Sequence, residues 1–242
     1  ANNNAELPRV VIATSGGALA SRGSPSDAAH GGAWGFARVL RLEHPSLRAQ
    51  STDYSGNARP AAPATTLAPT SETEAAWMGG AHLVRRLRAS CAASPASHAA
   101  LACGVYAITG GLGGLGLRAA ALLVEGSARR VVLASRSGRV VRDGQGVAAW
   151  LEASGAARVV VASDGADAHE ASALVCVWPL VGVLHAAGAG DKGLLVELVA
   201  QRVRWMYASK AMGAWHLQGA VAAAPLETRV LFSSVGAGLG NV

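Results

Sequence analysis

Two rhythms of apolar and polar positions run along the chain. Short apolar runs bounded by Gly, Pro or polar clusters predict strands, and segments where apolar residues return about every 3.6 positions predict helices. The first strand falls at Arg9 to Thr14, leading into Ser15-Gly16-Gly17-Ala18, and a helix from about Ala28 to Glu43 stops at Pro45. Residues 55–71, rich in Pro, Ala and Thr, read as a loop. Glu72 to Trp77 is expected to make a turn or two of helix and Ala81 to Leu87 a strand, and a small-residue linker, Ala89 to Ala100, follows. Beyond it the units alternate: strand Val105 to Thr109, helix to Glu125 closed by Gly126, strand Arg130 to Ala134, helix Val147 to Ala153, and strand Arg158 to Ala162. A short helix between Ala166 and Val175, strand Val181 to His185, helices Leu194 to Ala200 and Arg202 to Ala220, and strand Arg229 to Phe232 complete the series. Such alternation predicts an α/β fold, a doubly wound parallel sheet covered on both faces, with ligands at the carboxyl ends of its strands.

One junction organises this half. Val105-Tyr-Ala-Ile-Thr109 meets five glycines in seven positions, Gly110, Gly111, Gly113, Gly114 and Gly116, interleaved with Leu112 and Leu115, and then becomes a leucine-alanine helix. Strand, tight loop, helix is the pattern of a dinucleotide-binding turn: glycines let the backbone approach a pyrophosphate, whose charge faces the unpaired N–H groups opening the helix. G-x-G-x-x-G and T-G-x-x-x-G-x-G overlap here, the second starting at Thr109. The earlier turn at Ser15 lacks the full glycine spacing, and a Ser-Arg-Gly-Ser-Pro segment stands where a helix would have to start, so cofactor binding is not expected there.

Composition adds boundaries. The 242 residues are 51% hydrophobic, enough for one large or two modest cores. Of 21 basic residues only Lys192 and Lys210 are lysines, and the formal charge of +6 is scattered, with no basic stripe interleaved with aromatics to suggest nucleic acid. Cys91, Cys103 and Cys176 lack metal or redox spacing and read as small core residues of a reducing compartment. The uncharged stretch Ala171 to Gly190 is interrupted by Pro179 and His185 and reads as containing a buried strand rather than a membrane span. Trp34 and Phe36 read as core.

Each predicted strand closes on residues with chemistry. Ser135 and Arg136 end the second, Arg136 lying 20 residues after Gly116, where an acid would suit a free ribose 2′-hydroxyl. A hydroxyl and a guanidinium fork suit a 2′-phosphate, so the expected cofactor is NADPH. Ser163 and Asp164 end the third, Asp164 either accepting from an adenine amino group or serving as a plain turn residue. His185-Ala186-Ala187-Gly188 end the fourth, small residues that let backbone approach a cofactor sugar, and Ser233-Ser234 follow the fifth. Lys210 sits on the preceding helix, a compact rotatable cation where the chain otherwise uses arginine.

Together, Tyr106 to Gly116, Ser135-Arg136-Ser137-Gly138, His185 to Gly188, Ser209-Lys210-Ala-Met-Gly-Ala214 and Leu231-Phe-Ser-Ser-Val235 resemble the ketoreductase domain of modular type I polyketide synthases, a branch of the short-chain dehydrogenase/reductases. Upstream, Trp34-Gly35-Phe36-Ala37-Arg38 with Glu43-His44-Pro45 is similar to that family's N-terminal structural subdomain, a degenerate Rossmann-like half. The resemblance implies residues 1–100 as that subdomain with its linker and 101–242 as an NADPH-binding catalytic subdomain. It implies Lys210 and Ser234 as catalytic residues, Ser234 bonding the substrate carbonyl, and hydride delivery to a β-ketoacyl chain on an acyl carrier protein, with neighbouring synthase domains as partners. No nucleic acid, membrane or metal is expected, and the compartment is cytoplasmic, or a plastid in an alga.

Departures from the family pattern shape the remaining expectations. Its proton-donating tyrosine belongs about 13 residues after Ser234, with an asparagine about four further on, and Val242 lies eight residues after Ser234, so both ends read as cut, the residues alone are expected to be inactive, and the sheet edge marginally stable. Gly190-Asp191-Lys192 replaces the Leu-Asp-Asp signature of one stereochemical class, and Leu239 stands where the other class has tryptophan, so the product configuration stays open. A fatty acid synthase ketoreductase and a reduction-inactive scaffold domain are the alternatives.

Overall fold

A computed structural model of the chain describes residues 9–16, 30–55, 71–78, 81–87, 89, 102–140, 146–153, 155, 157–190 and 193–239. The pair Asp191-Lys192, most of the 55–71 and 89–100 connections, and Cys91 lie outside them. Two compact units emerge. One gathers described residues of Ala1–Cys91, Gly193–Glu197 and Ser234–Val242, the other those of Ala92–Lys192 and Leu198–Ser233. A division at residue 100 counts 193–197 and 234–239 with the second half, whereas their contacts lie in the first unit.

The first unit holds β1 (Val11–Ser15), α1 (Gly31–Glu43), β2 (Gln50–Ser55), β3 (Glu74–Met78) and β4 (Ala81–Val84) in a sheet ordered β1-β2-β3-β4. The first three strands are parallel and β4 is antiparallel to β3. Trp34 and Ala37 bury one face of α1, and Pro45 ends the helix by opening a 3₁₀ turn, Pro45–Leu47. Phe36, expected in the core, is 49% exposed, on the opposite face of α1 from Trp34. Of Glu72 to Trp77, expected as helix, residues Glu74 to Trp77 instead lie in strand β3. Its alanines favour helix locally, but pairing with β2 on one side and β4 on the other, with Ala75 and Ala76 buried, overrides a propensity spread over so few residues.

The second unit runs β5 (Val105–Thr109), α2 (Gly114–Glu125), β6 (Arg130–Ser135), α3 (Val147–Ala153), β7 (Ala157–Ala162), α4 (Ala168–Cys176), β8 (Leu180–His185), α5 (Ala200–Tyr207), a π-helical turn (Ala208–Met212), α6 (Gly213–Ala220) and β9 (Thr228–Leu231). The sheet order is β7-β6-β5-β8-β9, every pairing parallel. Central β5 is buried along its whole length, which is why it reads as a continuous apolar run. Tyr106 and Ile108 pack with Leu117, Leu133 and Leu151 on one face, and Val105 and Ala107 with Val132, Leu174 and Leu217 on the other. The uncharged stretch 171–190 divides into α4, capped by the Asp167 carboxylate accepting from the His169 and Glu170 amides, and β8, whose last four residues are buried.

Three further expectations are corrected. Cys103 and Cys176 are exposed thiols rather than core residues. The helix expected over Leu194 to Ala200 is a single 3₁₀ turn, Leu195–Glu197, in the first unit, its Leu195 amide held by the Glu43 carboxylate at 2.9 Å. The helix expected unbroken from Arg202 to Ala220 is interrupted by the π turn around Lys210. A last short helix, α7 (Val235–Leu239), belongs to the first unit. Among the described residues no helix is long and apolar enough to cross a membrane, and no acid, His and Cys cluster could hold a metal.

Candidate functional site

The strand order reverses direction of growth between β5 and β8, so the crevice beyond their carboxyl ends is where an α/β sheet receives a ligand. Register puts Thr109, Ala134 and His185 level with one another, and backbone bonds carry the ladder past the strands: Gly111 N–H to Ala134 O at 3.0 Å, Ala186 N–H to Thr109 O at 2.9 Å, Ser163 N–H to Ser135 O at 2.9 Å. A cleft of about 380 Å³ opens along this edge.

Its floor is the glycine turn, with Thr109, Gly110, Leu112, Gly113 and Gly114 on the surface of the cleft. Gly110 has φ +70°, and a Cβ there would stand 2.5 Å from the Ala187 backbone, so only glycine lets the turn lie against the loop after β8. Gly116 is out of the cleft; a Cβ on it would collide with the Gly110 carbonyl oxygen and the Gly111 backbone, so this glycine seats α2 beneath the turn. Gly111 sits in the same way against Leu133, and Leu115 is 63% exposed. Gly113, in extended conformation, is the N-cap of α2 and offers no side-chain acceptor. The first amides of a twelve-residue helix therefore face the cleft mouth with their positive end uncapped.

One wall follows β6. Among the described residues Ser135 Oγ is buried and has no hydrogen-bond partner, an orphaned hydroxyl at the cleft surface. Beside it, Arg136 forms no hydrogen bond or ion pair with any described residue and lies with its guanidinium carbon 5.7 Å from the ring centre of Trp205 on α5. Arg139 joins the same wall. The third strand end contributes Ser163 and Asp164, whose Oδ1 accepts from the Ala166 amide at 3.0 Å in a local turn. Ala186, Ala187 and Gly188 close the cleft from the β8 side.

His185 does not reach the cleft. Its Nε2 lies 3.0 Å from the Lys210 carbonyl, an acceptor only, so Nε2 carries the proton and Nδ1 accepts from the Thr109 hydroxyl at 2.7 Å. Burial pushes this imidazole below its ordinary value, and the bond to Lys210 offsets only part of that, so the ring is neutral at pH 7. The Lys210 carbonyl is turned toward His185 at the π turn, and Gly213 leaves room for the ring, its absent Cβ being 3.0 Å from His185 Cε1. The Lys210 side chain passes Gly188, whose missing Cβ would lie 3.3 Å from Cε, and its ammonium has no partner among the described residues.

Ser234 lies in the other unit. It is exposed, its Oγ accepts from the Gly236 amide at 3.2 Å, and it borders a cavity of about 820 Å³ there. That cavity is the larger one, but its arginines are spent: Arg38 and Arg41 bind the Glu74 carboxylate at 2.6 and 2.5 Å, and Arg86 binds Glu72 at 2.5 Å. Sequence reasoning assigned no role to Arg139, Ser209 or Trp205. Arg139 was legible as a second cation three positions past Arg136. Ser209, accepting from the Ala189 amide at 3.1 Å, opens a stretch that carries the family resemblance but was given no role, and Trp205 carried no local signal, because the fold alone brings α5 to this edge.

Comparison with known proteins places this arrangement. The KR domain family model matches residues 104–242. The chain is 35% identical over 239 residues to the spectinabilin polyketide synthase system protein NorA of Streptomyces orinoci, covering 96% of the chain and 12% of that protein. It is 34% identical over 229 residues to the 5-methyl-1-naphthoate synthase of Streptomyces sahachiroi, covering 86% of the chain and 13% of the relative. Among solved structures, an A1-type ketoreductase superposes with a TM-score of 0.83 at 32% identity, covering 96% of the chain and 51% of that structure. The chain thus spans about an eighth of the length of these synthases and half of that ketoreductase.

Proposed function

Because the chain belongs to the KR domain family of polyketide synthases, we propose that it takes part in the NADPH-dependent reduction of a β-ketoacyl thioester, carried on an acyl carrier protein, to the β-hydroxyacyl thioester. KR domains are oxidoreductases of the short-chain dehydrogenase/reductase class, which use a nicotinamide cofactor. The residues of the cleft fit such a dinucleotide: a cradle that a Cβ at Gly110 would fill, an uncapped helix start, and the orphaned Ser135 hydroxyl.

In this reading the opening amides of α2 hold the pyrophosphate. Ser135 and Arg136 hold a ribose 2′-phosphate, a planar fork and a hydroxyl meeting three acceptor oxygens. Asp164 keeps one carboxylate oxygen for its own turn and presents the other toward the adenine amino group. When bound, the reduced nicotinamide supplies the hydride. By the family resemblance Ser234 is assigned the hydrogen bond to the substrate carbonyl oxygen, and Lys210, whose ammonium has no partner among the described residues, the stabilisation of developing negative charge. The carbonyl carbon gains the hydride and its oxygen one proton. That proton is assigned to the tyrosine the family resemblance places about 13 residues after Ser234. Acyl carrier protein and neighbouring synthase domains are the expected partners.

The observation that carries the choice of NADPH over NADH is Arg136 beside Ser135, a cation and a buried hydroxyl that have no acid and no partner among the described residues at one wall of the cleft. Titrating the chain with NADPH and with NADH while following nicotinamide fluorescence tests it. Saturable enhancement with NADPH, at lower concentration than with NADH, is expected. No saturable change with either would refute the reductase reading, and equal affinity for both would refute the 2′-phosphate site.

A further inference from the structure

We propose that Trp205 is a positioning residue for the 2′-phosphate of the cofactor, acting through Arg136; the proposal rests on the NADPH reading and names what sets its specificity. Arg136 follows β6 and Trp205 sits two turns into the helical segment that ends at the π turn, so nothing in the local sequence relates them. In the fold the guanidinium carbon stands 5.7 Å from the indole centre, within the range at which the ring quadrupole attracts a cation. An arginine side chain has many rotamers, and one at the mouth of a cleft without a carboxylate partner would sample most of them. Here no described acid or carbonyl holds Arg136. The indole face is the contact that orders it, and a ring takes up one face of the guanidinium while leaving all five N–H donors in the plane to point at an anion. A carboxylate in place of Trp205 would hold the arginine equally well and consume the donors.

The neighbourhood fits a phosphate monoester. Ser135 Oγ, buried and without a partner among the described residues, borders the same wall, and Arg139 adds a second cation to it. Asp164 is the acid of the cleft, and its Oδ1 is engaged by the Ala166 amide. Trp205 itself is 45% exposed and is not part of the cleft surface, so its effect on ligand passes through Arg136.

The test is calorimetric titration of the chain and of its Trp205→Leu and Trp205→Phe variants with 2′,5′-ADP and with 5′-AMP, which differ in the 2′-phosphate. Trp205→Leu keeps apolar bulk and removes the π face. It is expected to weaken 2′,5′-ADP about fivefold while leaving 5′-AMP unchanged, and Trp205→Phe is expected to retain most of the preference. Binding of 5′-AMP also reports that a variant is folded. If Trp205→Leu keeps the full preference, the role of Trp205 is refuted while the NADPH reading stands. A parent chain without preference for 2′,5′-ADP refutes the NADPH reading and this proposal with it. Should Trp205→Leu bind neither ligand, the Phe variant decides, a kept preference supporting the role and a lost one overturning it.

Discussion

At the residue scale the second unit is organised by what two side chains lack and one ring holds. Gly116 and Gly110 let a helix, a turn and the loop after β8 meet at backbone distance. Gly116→Ala drives a methyl into the Gly110 carbonyl, an overpacking with no flexible neighbour to yield, and is expected to cost about 1–3 kcal/mol in urea denaturation and to abolish saturable NADPH binding. A variant of unchanged midpoint and affinity would contradict the cradle. His185 links Thr109 at the turn to the Lys210 carbonyl. Its folded value lies below the ordinary 6.5, so just below pH 6.5 the unfolded chain takes up a proton that the folded ring refuses. Stability from this group is therefore complete above that pH and is lost as pH falls toward the folded value. Urea midpoints of the parent should drop more steeply than those of His185→Gln between about pH 7.5 and pH 5.5, and equal slopes would contradict the neutral, buried assignment.

At the element scale, legibility followed polarity. Every strand of the second unit was readable because its interior is apolar, down to β5, which is buried end to end. β2 was missed entirely. Its sequence, Gln50-Ser-Thr-Asp-Tyr-Ser55, looks like a loop, yet Ser51, Thr52 and Asp53 are buried, because Thr14 donates to Asp53 at 2.6 Å, Trp34 donates to Thr14 at 2.9 Å, and Arg41 donates to Ser51 at 3.2 Å. Periodicity of hydrophobic residues cannot report a strand whose buried groups are hydrogen-bonded polar ones. Thr14→Val removes the hydroxyl that serves both Asp53 and Trp34 and is expected to destabilise the first unit by roughly 2–3 kcal/mol, read by thermal or urea unfolding. A neutral substitution would mean the network adds nothing. The π turn was equally illegible: residues 202–220 carry an ordinary helical pattern, and the extra backbone residue answers to His185, 25 positions before Lys210.

At the scale of the whole molecule, the glycine turn, the ends of β6 and β8, and the parallel sheet were readable because motif, period and strand order reinforce one another. What sequence could not supply was the sorting of those residues by place: Thr109 and Ser135 at the cleft, His185 behind it, Gly116 beneath it, Ser234 in the first unit, and Trp205 brought to Arg136 across the fold. The two units also draw on segments far apart in the chain, so no single linker marks their boundary. The central claim, that an NADP-type dinucleotide binds along the carboxyl edge of the second sheet, is tested most directly by mapping backbone amide shifts of the isotope-labelled chain during titration with NADP⁺. Saturable shifts at Gly113 to Gly116, at Ser135 and Arg136, and from Ala186 to Gly188 are the predicted result. Shifts confined to the arginine-lined cavity of the first unit, or none that saturate, would contradict it.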